Sequence, residues 1–213
     1  MTYEDKVTKI ARGRYDRNAP FYDLMEGCIE GARFKQWRTL LWSKVEGTRI
    51  LEVGVGTGKN FPYYPAGAEI TAIDFSDKML ERAKVKTRSP DVNVRLQQMD
   101  VQSLEFQNGT FDTVIASCVF CSVPNPVRGL MEIERVCKPS GKVVLLEHVL
   151  SANQILAMLM NLVNPLTVRM MGPNINRRTV ENVTKSGLLV ENVTDLWLGI
   201  FKLIEARKMT PSS

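Results

Sequence analysis

The chain of 213 residues has room for one domain with a helical attachment and little space for two. Hydrophobic residues at 44% and charged residues at 24% supply a real core, which excludes intrinsic disorder and collagen-like or disulfide-scaffold classes. Lys plus Arg number 28 against 23 for Asp plus Glu, a net charge of +5 that suits an anionic partner without choosing between nucleic acid and acidic lipid.

Residues 1–46 read as helices. Val7, Ile10 and Ala11 fall at helical spacing, while Lys6, Lys9, Arg12, Arg14 and Arg17 give a basic surface. Asn18-Ala19-Pro20 breaks the pattern, because the residue before a proline is pushed out of the helical region. Ile29, Ala32, Trp37, Leu40 and Leu41 start it again until Gly47. Strands are then expected over residues 49–53, 69–73, 93–98, 111–117 and 142–147, with helices over 76–86 and 127–137 among them. Strands separated by helices of that length imply right-handed crossovers and a parallel sheet covered on both faces, so an α/β doubly wound domain is expected from about residue 47 onward.

Beyond His148 the texture changes. An apolar, methionine-rich stretch runs over residues 155–171, interrupted by Asn161, Asn164, Pro165 and Arg169, so it is not a membrane span but is suited to lying on a surface. With its flanks it makes an apolar insertion at about 151–178. Arg177 and Arg178 open a short helix to Lys185. Two β-like runs follow, 188–194 and 196–206, and a tight return between them would set the last strand antiparallel at the sheet edge. Met1 leads into polar residues rather than the apolar core of a signal peptide, and four cysteines are too few for a disulfide framework, so a reducing cytoplasmic setting is expected.

The strongest local signal is Glu52-Val-Gly54-Val-Gly56-Thr-Gly58, directly after the first strand. Glycines there let the backbone turn sharply and approach a ligand. Asp74 closes the next strand, where a carboxylate can accept both hydroxyl hydrogens of a ribose. A dinucleotide loop would read G-x-G-x-x-G, whereas this one reads G-x-G-x-G with an acid at its start, which repels pyrophosphate and welcomes a cationic amino-acid group. Asp100, ending the third strand, offers a further acceptor for an adenine amino group. Three acids at successive strand ends suit a ligand with ammonium and sulfonium charges and an aminopurine: S-adenosylmethionine.

Leu51-Glu-Val-Gly-Val-Gly-Thr-Gly58, Ile73-Asp-Phe-Ser76, Met99-Asp-Val101, Phe111-Asp-Thr-Val114 and Lys138-Pro-Ser-Gly-Lys142 resemble the ordered motifs of class I S-adenosylmethionine-dependent methyltransferases. The resemblance implies a Rossmann-like seven-stranded sheet with its last strand antiparallel. It also implies that Glu52, Gly54 and Gly56 line the methionine end, that Asp74 holds the ribose, that Phe75 packs on adenine and that Asp100 meets its amino group. Gly58, Ser76, Met79 and Val101 join that cofactor-binding set, and Ser117 would face the sulfur region. Ser140 departs from the family, which usually has glycine in that turn.

The segment Arg14-Tyr-Asp-Arg-Asn-Ala-Pro-Phe-Tyr-Asp-Leu-Met-Glu26 looks like that of the branch methylating ubiquinone and menaquinone precursors and phospholipids, and the whole chain most resembles the small bacterial phosphatidylethanolamine N-methyltransferases. That resemblance implies residues 1–46 as a helical lid and membrane-contacting segment. It implies phosphatidylethanolamine and an anionic membrane surface as partners, met from the cytoplasmic side. Each basic residue near such a surface adds about 1 kcal/mol. Tyr15, Phe21 and Tyr22 could close over the pocket, where aromatic faces stabilise a quaternary ammonium by about 0.5–2 kcal/mol each. The acceptor amine must first lose a proton, and His148, Glu147, Tyr15 and Tyr22 are the candidates to take or orient it. Arg177 and Arg178 are candidates for the lipid phosphate.

Cys118-Val-Phe-Cys121 lacks the two further ligands that zinc would want, so no metal is expected and both cysteines read as small pocket or core residues. No aromatic-interleaved basic stripe suggests nucleic acid. C-methylation of a quinone precursor, thiol methylation and a non-catalytic S-adenosylmethionine-sensing module stay open as alternatives.

Overall fold

A computed structural model describes residues 8–17, 32–87, 93–170 and 172–209. Seven strands form one sheet: β1 (Arg49–Val53), β2 (Glu69–Asp74), β3 (Val94–Gln98), β4 (Phe111–Ser117), β5 (Cys137–His148), β6 (Leu188–Trp197) and β7 (Phe201–Lys208), in the spatial order β3-β2-β1-β4-β5-β7-β6. The first five pair in parallel, and β7 pairs antiparallel with both β5 and β6. Helices are α1 (residues 8–17), α2 (Ala32–Trp42), α3 (Asp77–Lys86), α4 (Pro126–Val136), α5 (Gln154–Met170) and α6 (Thr179–Lys185).

The expected antiparallel last strand is present but not at the edge. β7 is inserted between β5 and β6, so β6 is the edge strand. The return also falls later than the sequence pattern suggests. Leu198 and Gly199 both take positive φ (48° and 68°), and Ile200 N donates to Trp197 O at 2.9 Å. Two consecutive left-handed residues make the hairpin turn whose twist matches its strands. Gly199 adopts that backbone readily, and Leu198 is carried there by the pairing on either side.

Strand alternation divides the core in two. Leu51, Val53, Val114, Val143 and Leu145 face one side, packed with Leu130 and Ile133 of α4 and Val183 of α6. Ile50, Ile115, Val144 and Leu146 face the other, against Trp37, Leu41 and Trp42 of α2. Local chemistry sets the helix starts beside the cleft described below. Ser76 Oγ accepts from Met79 N at 3.2 Å to cap α3, and Asn125 Oδ1 accepts from Arg128 N at 3.1 Å to cap α4, with Pro126 in its first turn. No helix among the described residues is long and apolar enough to cross a membrane.

Candidate active site

A cleft opens at the carboxyl ends of β1 to β4, the crevice where open α/β sheets bind ligands. Its rear wall is the glycine loop. Gly54 N and Val55 N both donate to Ile73 O (2.8 and 3.0 Å), folding the loop back onto the end of β2. Gly54 sits at φ +68°, and a Cβ there would stand 2.4 Å from a methyl of Val119, so only glycine fits between loop and facing wall.

Asp74 ties this wall together. Its Oδ2 accepts from Gly56 N and its Oδ1 from Ser76 N, each at 2.9 Å. Burial lifts its pKa to about 6, although those two amides hold the charged form back towards the ordinary range. Each carboxylate oxygen keeps a lone pair for a further donor. Asp100 stands on the next strand end, its Oδ1 accepting from Gln102 N at 2.9 Å. Between the two acids the floor is apolar, built from Val53, Ile73, Phe75, Met79, Met99 and Val101, and Ser117 lines the β4 side.

Helix α1 covers the mouth. Arg12 pairs with Asp77, Asp16 accepts from Ser76 Oγ at 2.5 Å, and Thr8 Oγ1 accepts from Gln102 at 3.2 Å. Tyr15 reaches into the cleft, with its ring edge-on to Phe75 at 5.5 Å and its hydroxyl hydrogen-bonded to Ser122 Oγ. Burial keeps that phenol neutral, its pKa pushed far above the usual range.

The cleft thus gathers Tyr15, Gly54, Gly56, Asp74, Phe75, Met79, Asp100, Val101 and Ser117 from the sequence-based set. Tyr22 lies outside the described residues. Other candidates are held elsewhere. Glu52 faces the α2 side because alternation turns its neighbour Val53, and not itself, to the cleft. Its buried carboxylate accepts from Asn60 Nδ2 at 2.5 Å and from Tyr64, and Arg38 donates to Asn60 Oδ1 at 2.6 Å. Gly58 supports the cradle from behind, where a Cβ would strike the ring of Phe61 at 2.4 Å. Ser76 is fully buried as the α3 cap and the Asp16 anchor, not a cleft-lining group.

Glu147 and His148 both miss the cleft surface. Glu147 is buried under the loop after β4, accepting from Val119 N (2.8 Å) and Phe120 N (3.1 Å), and desolvation pushes its pKa to about 7. His148 is on the opposite face, its ring perpendicular to Phe201 at 5.0 Å, and burial lowers its pKa. Arg177 donates to Val123 O at 2.9 Å from a partly buried position, and Arg178 pairs with Glu181 at 3.0 Å on the surface. Neither lines the cleft. The first shores up the cleft loop and the second closes a helix-start pair.

Gln102 and Ser122 are among the cleft residues that the sequence does not single out. Gln102 holds Asp100 Oδ2 at 2.9 Å, accepts from Asn125 N at 2.9 Å and reaches Thr8 of α1. Ser122 is the partner of Tyr15. Asp100-x-Gln102 has the spacing of an aspartate capping its own turn, which was readable; the Tyr15–Ser122 pairing is long-range and carries no local signal. Cys118 lines the cleft and Cys121 is buried, its thiol pushed to about 12 by burial. Among the described residues no group of three or more His, Cys, Asp or Glu could hold a metal ion.

Residues 51–145 match a family model described as a methyltransferase domain. A phosphatidylethanolamine N-methyltransferase of Cereibacter sphaeroides is 42% identical over 113 residues, covering 52% of this chain and 56% of that protein. A demethylmenaquinone methyltransferase of Renibacterium salmoninarum is 35% identical over 147 residues, covering 67% of this chain and 60% of that protein. The chain thus spans a little over half the length of these curated relatives. Among solved structures, an S-adenosylmethionine-dependent methyltransferase of Thermotoga maritima, named a possible histamine N-methyltransferase, shares the fold at TM-score 0.69 and 18% identity over 92% of this chain and 99% of that one. The motif order, the sheet order and these matches agree: residues 51–145 carry a methyltransferase domain, in the fold of solved S-adenosylmethionine-dependent methyltransferases.

Proposed function

We propose that this domain moves methyl groups from S-adenosylmethionine to the amine of phosphatidylethanolamine, in successive rounds towards phosphatidylcholine, working as a peripheral protein on the cytoplasmic face of a membrane. The single observation that carries methyl transfer is the cleft with Asp74 and Asp100 on adjacent strand ends across an apolar floor. Its chemistry suits an adenosyl ligand. Asp74 has lone pairs left for two ribose hydroxyls, Phe75 and Met79 offer faces for adenine, and Asp100 can accept from its amino group. Bound there, the cofactor supplies a methyl carbon made electrophilic by a sulfonium.

The chain's own residues then position the acceptor. An alkyl ammonium has a pKa of about 10.4 in water and must arrive as the free amine. Tyr15, neutral and fixed by Ser122, presents an oxygen that can accept an N–H of the primary or secondary amine and aim its lone pair inward. α1, bolted over the mouth through Arg12 and Asp16, serves as the lid that excludes water.

Support for a lipid amine comes from the Cereibacter relative. The Renibacterium relative supports a second reading, C-methylation of a quinone precursor. Mass spectrometry of lipids and quinones separates the two, using a bacterial host that makes phosphatidylethanolamine but no phosphatidylcholine. Methylated phosphatidylethanolamine appearing on expression, and vanishing with Asp74→Ala, is the expected result. An unchanged lipid profile with an altered quinone pool would replace the lipid reading by the second.

A further inference from the structure

Helix α5 turns an apolar stripe outward. Ile155, Leu159, Leu162, Leu166 and Met170 follow one another at three- and four-residue steps, a single stripe, and are between 49% and 77% exposed. The inward side mixes Leu156, Ala157, Met160 and Val168 with two polar anchors. Asn164 Oδ1 accepts from Ile175 N at 2.9 Å, Thr167 Oγ1 donates to Asn164 O at 2.9 Å, and Met160 is the one buried side chain of the helix. A water-facing helix normally shows polar residues on its outer face, and a continuous exposed apolar stripe marks a surface that docks on something apolar.

We infer that the exposed face of α5 is the membrane-docking element of this protein, lying in the headgroup–acyl boundary of a bilayer that contains anionic lipid. This deepens the lipid reading above by naming the surface that meets the membrane, and it rests on that reading for its function but not for its geometry. Charge selects the occupant. No carboxylate occurs between Glu147 and Glu181, while Arg169 is exposed on α5 itself. An anionic bilayer complements such a face. A second copy of the chain would bring the same acid-free, arginine-bearing surface against it.

Location fits as well. After α5 the chain turns at Gly172, where an added Cβ would stand 3.3 Å from the ring of Tyr15, and Asn174 N donates to Cys121 O at 2.8 Å. The segment leaving the helix is therefore packed against the wall and lid of the cleft, so docking α5 sets the cleft beside the lipid surface. The basic N-terminal helix is less suited to this role, because Arg12 and Asp16 of α1 are spent on Asp77 and Ser76.

Co-sedimentation of the full chain with vesicles of phosphatidylcholine and phosphatidylglycerol tests the inference. The double substitution Leu162→Asp/Leu166→Asp should lower vesicle partitioning by at least about tenfold, since interfacial binding scales with buried apolar area. Ile10→Asp, on the exposed side of α1, should leave it within about twofold of the parent. Circular dichroism checks that the double variant folds. As a second measurement, Leu162→Trp should be quenched by lipids brominated in their acyl chains, beyond any quenching of the parent.

Equal sedimentation of parent and double variant, a parent that ignores vesicles, or a Leu162→Trp signal untouched by bromolipid would each overturn the docking role. So would light scattering that shows a dimer broken by the double variant, which would make α5 an interface between copies. Methylation of a short-chain phosphatidylethanolamine, dispersed as monomers, separates the two claims. A parent that binds vesicles through α5 yet never methylates that lipid would sink the substrate reading and leave the docking surface standing.

Discussion

Glu147 and His148 are consecutive on β5 and serve opposite faces of the sheet: the carboxylate accepts two amides of the loop after β4, and the imidazole stands edge-on to Phe201, 5.0 Å away. Alternation along the strand turns the two side chains to opposite faces. The pair therefore reads as two structural fixtures. Glu147 holds the loop that carries Val119 and Ser122 to the cleft, and His148 fills an aromatic cluster in which Phe201 also meets Phe34 and Trp37.

Glu147→Gln should stabilise the protein at alkaline pH. The folded pKa, about 7, is above the ordinary 4.5 because burial disfavours the charge. Between those values the folded state binds the extra proton, so stability present below about pH 4.5 is lost as pH rises through about 7. The full loss is about 3 kcal/mol at 1.36 kcal/mol per unit. Glutamine keeps a carbonyl oxygen for the Val119 and Phe120 amides and carries no charge. Urea denaturation should find variant and parent close at pH 5 and the variant ahead at pH 8. A variant weaker than the parent at pH 8 would show that the ionised carboxylate is the form the loop needs.

His148→Ala should cost about 1–2 kcal/mol of stability, through the lost ring contact and its buried area, and leave cofactor affinity within about twofold. Burial also holds the imidazole neutral, so its contribution is present above the ordinary pKa of 6.5 and lost as pH falls. Thermal melts and calorimetric titration of S-adenosylhomocysteine check both statements. An unchanged melt with lost turnover would return His148 to the chemistry.

The sheet was legible because its inner strands are buried on both faces. Residues 50–53 and 113–116 are buried at every position and apolar except at Glu52 and Thr113, and both strands have the bounds their sequence suggests. The β6–β7 return was not legible. Residues 196–206 look like one strand, and only the pairing of β6 with β7 on either side carries Leu198 into a left-handed turn. In the cleft, Gly54, Asp74 and Asp100 stood out because each closes a strand or opens a turn. Glu52 is singled out by its charge beside the loop and His148 by its place at a strand end, and neither signal says which face of the sheet the side chain takes. The Tyr15–Ser122 bond joins residues 107 apart, so nothing local could announce it.

Tyr15→Phe should lower turnover by about 10- to 100-fold, the usual scale for losing a group that handles a proton or orients its donor. Cofactor affinity should change less, because the ring keeps its edge on Phe75. Ser122→Ala leaves the phenol in place without its anchor, so a smaller loss in the same direction is expected. Steady-state kinetics with the lipid acceptor measure both. Equal turnover in Tyr15→Phe and parent would make Tyr15 a packing residue of the lid.

Asp74 sets a pH dependence on cofactor binding. With Gly56 and Ser76 amides already on it, its oxygens can still accept two hydroxyls, and those new bonds favour the charged form. Its pKa, about 6 in the free protein, should therefore fall on binding. Affinity is then flat above about pH 6 and drops by up to about tenfold per unit below it, until the bound form protonates too. Asp74→Ala removes two hydrogen bonds to a charged group, each about 1.5–3 kcal/mol, and should weaken binding by at least about 100-fold. Asp74→Asn should bind more weakly than the parent at pH 7 and show no such slope. Titration of S-adenosylhomocysteine from pH 5 to 8 distinguishes these cases; a parent with flat affinity across that range would place the ribose hydroxyls on another acceptor.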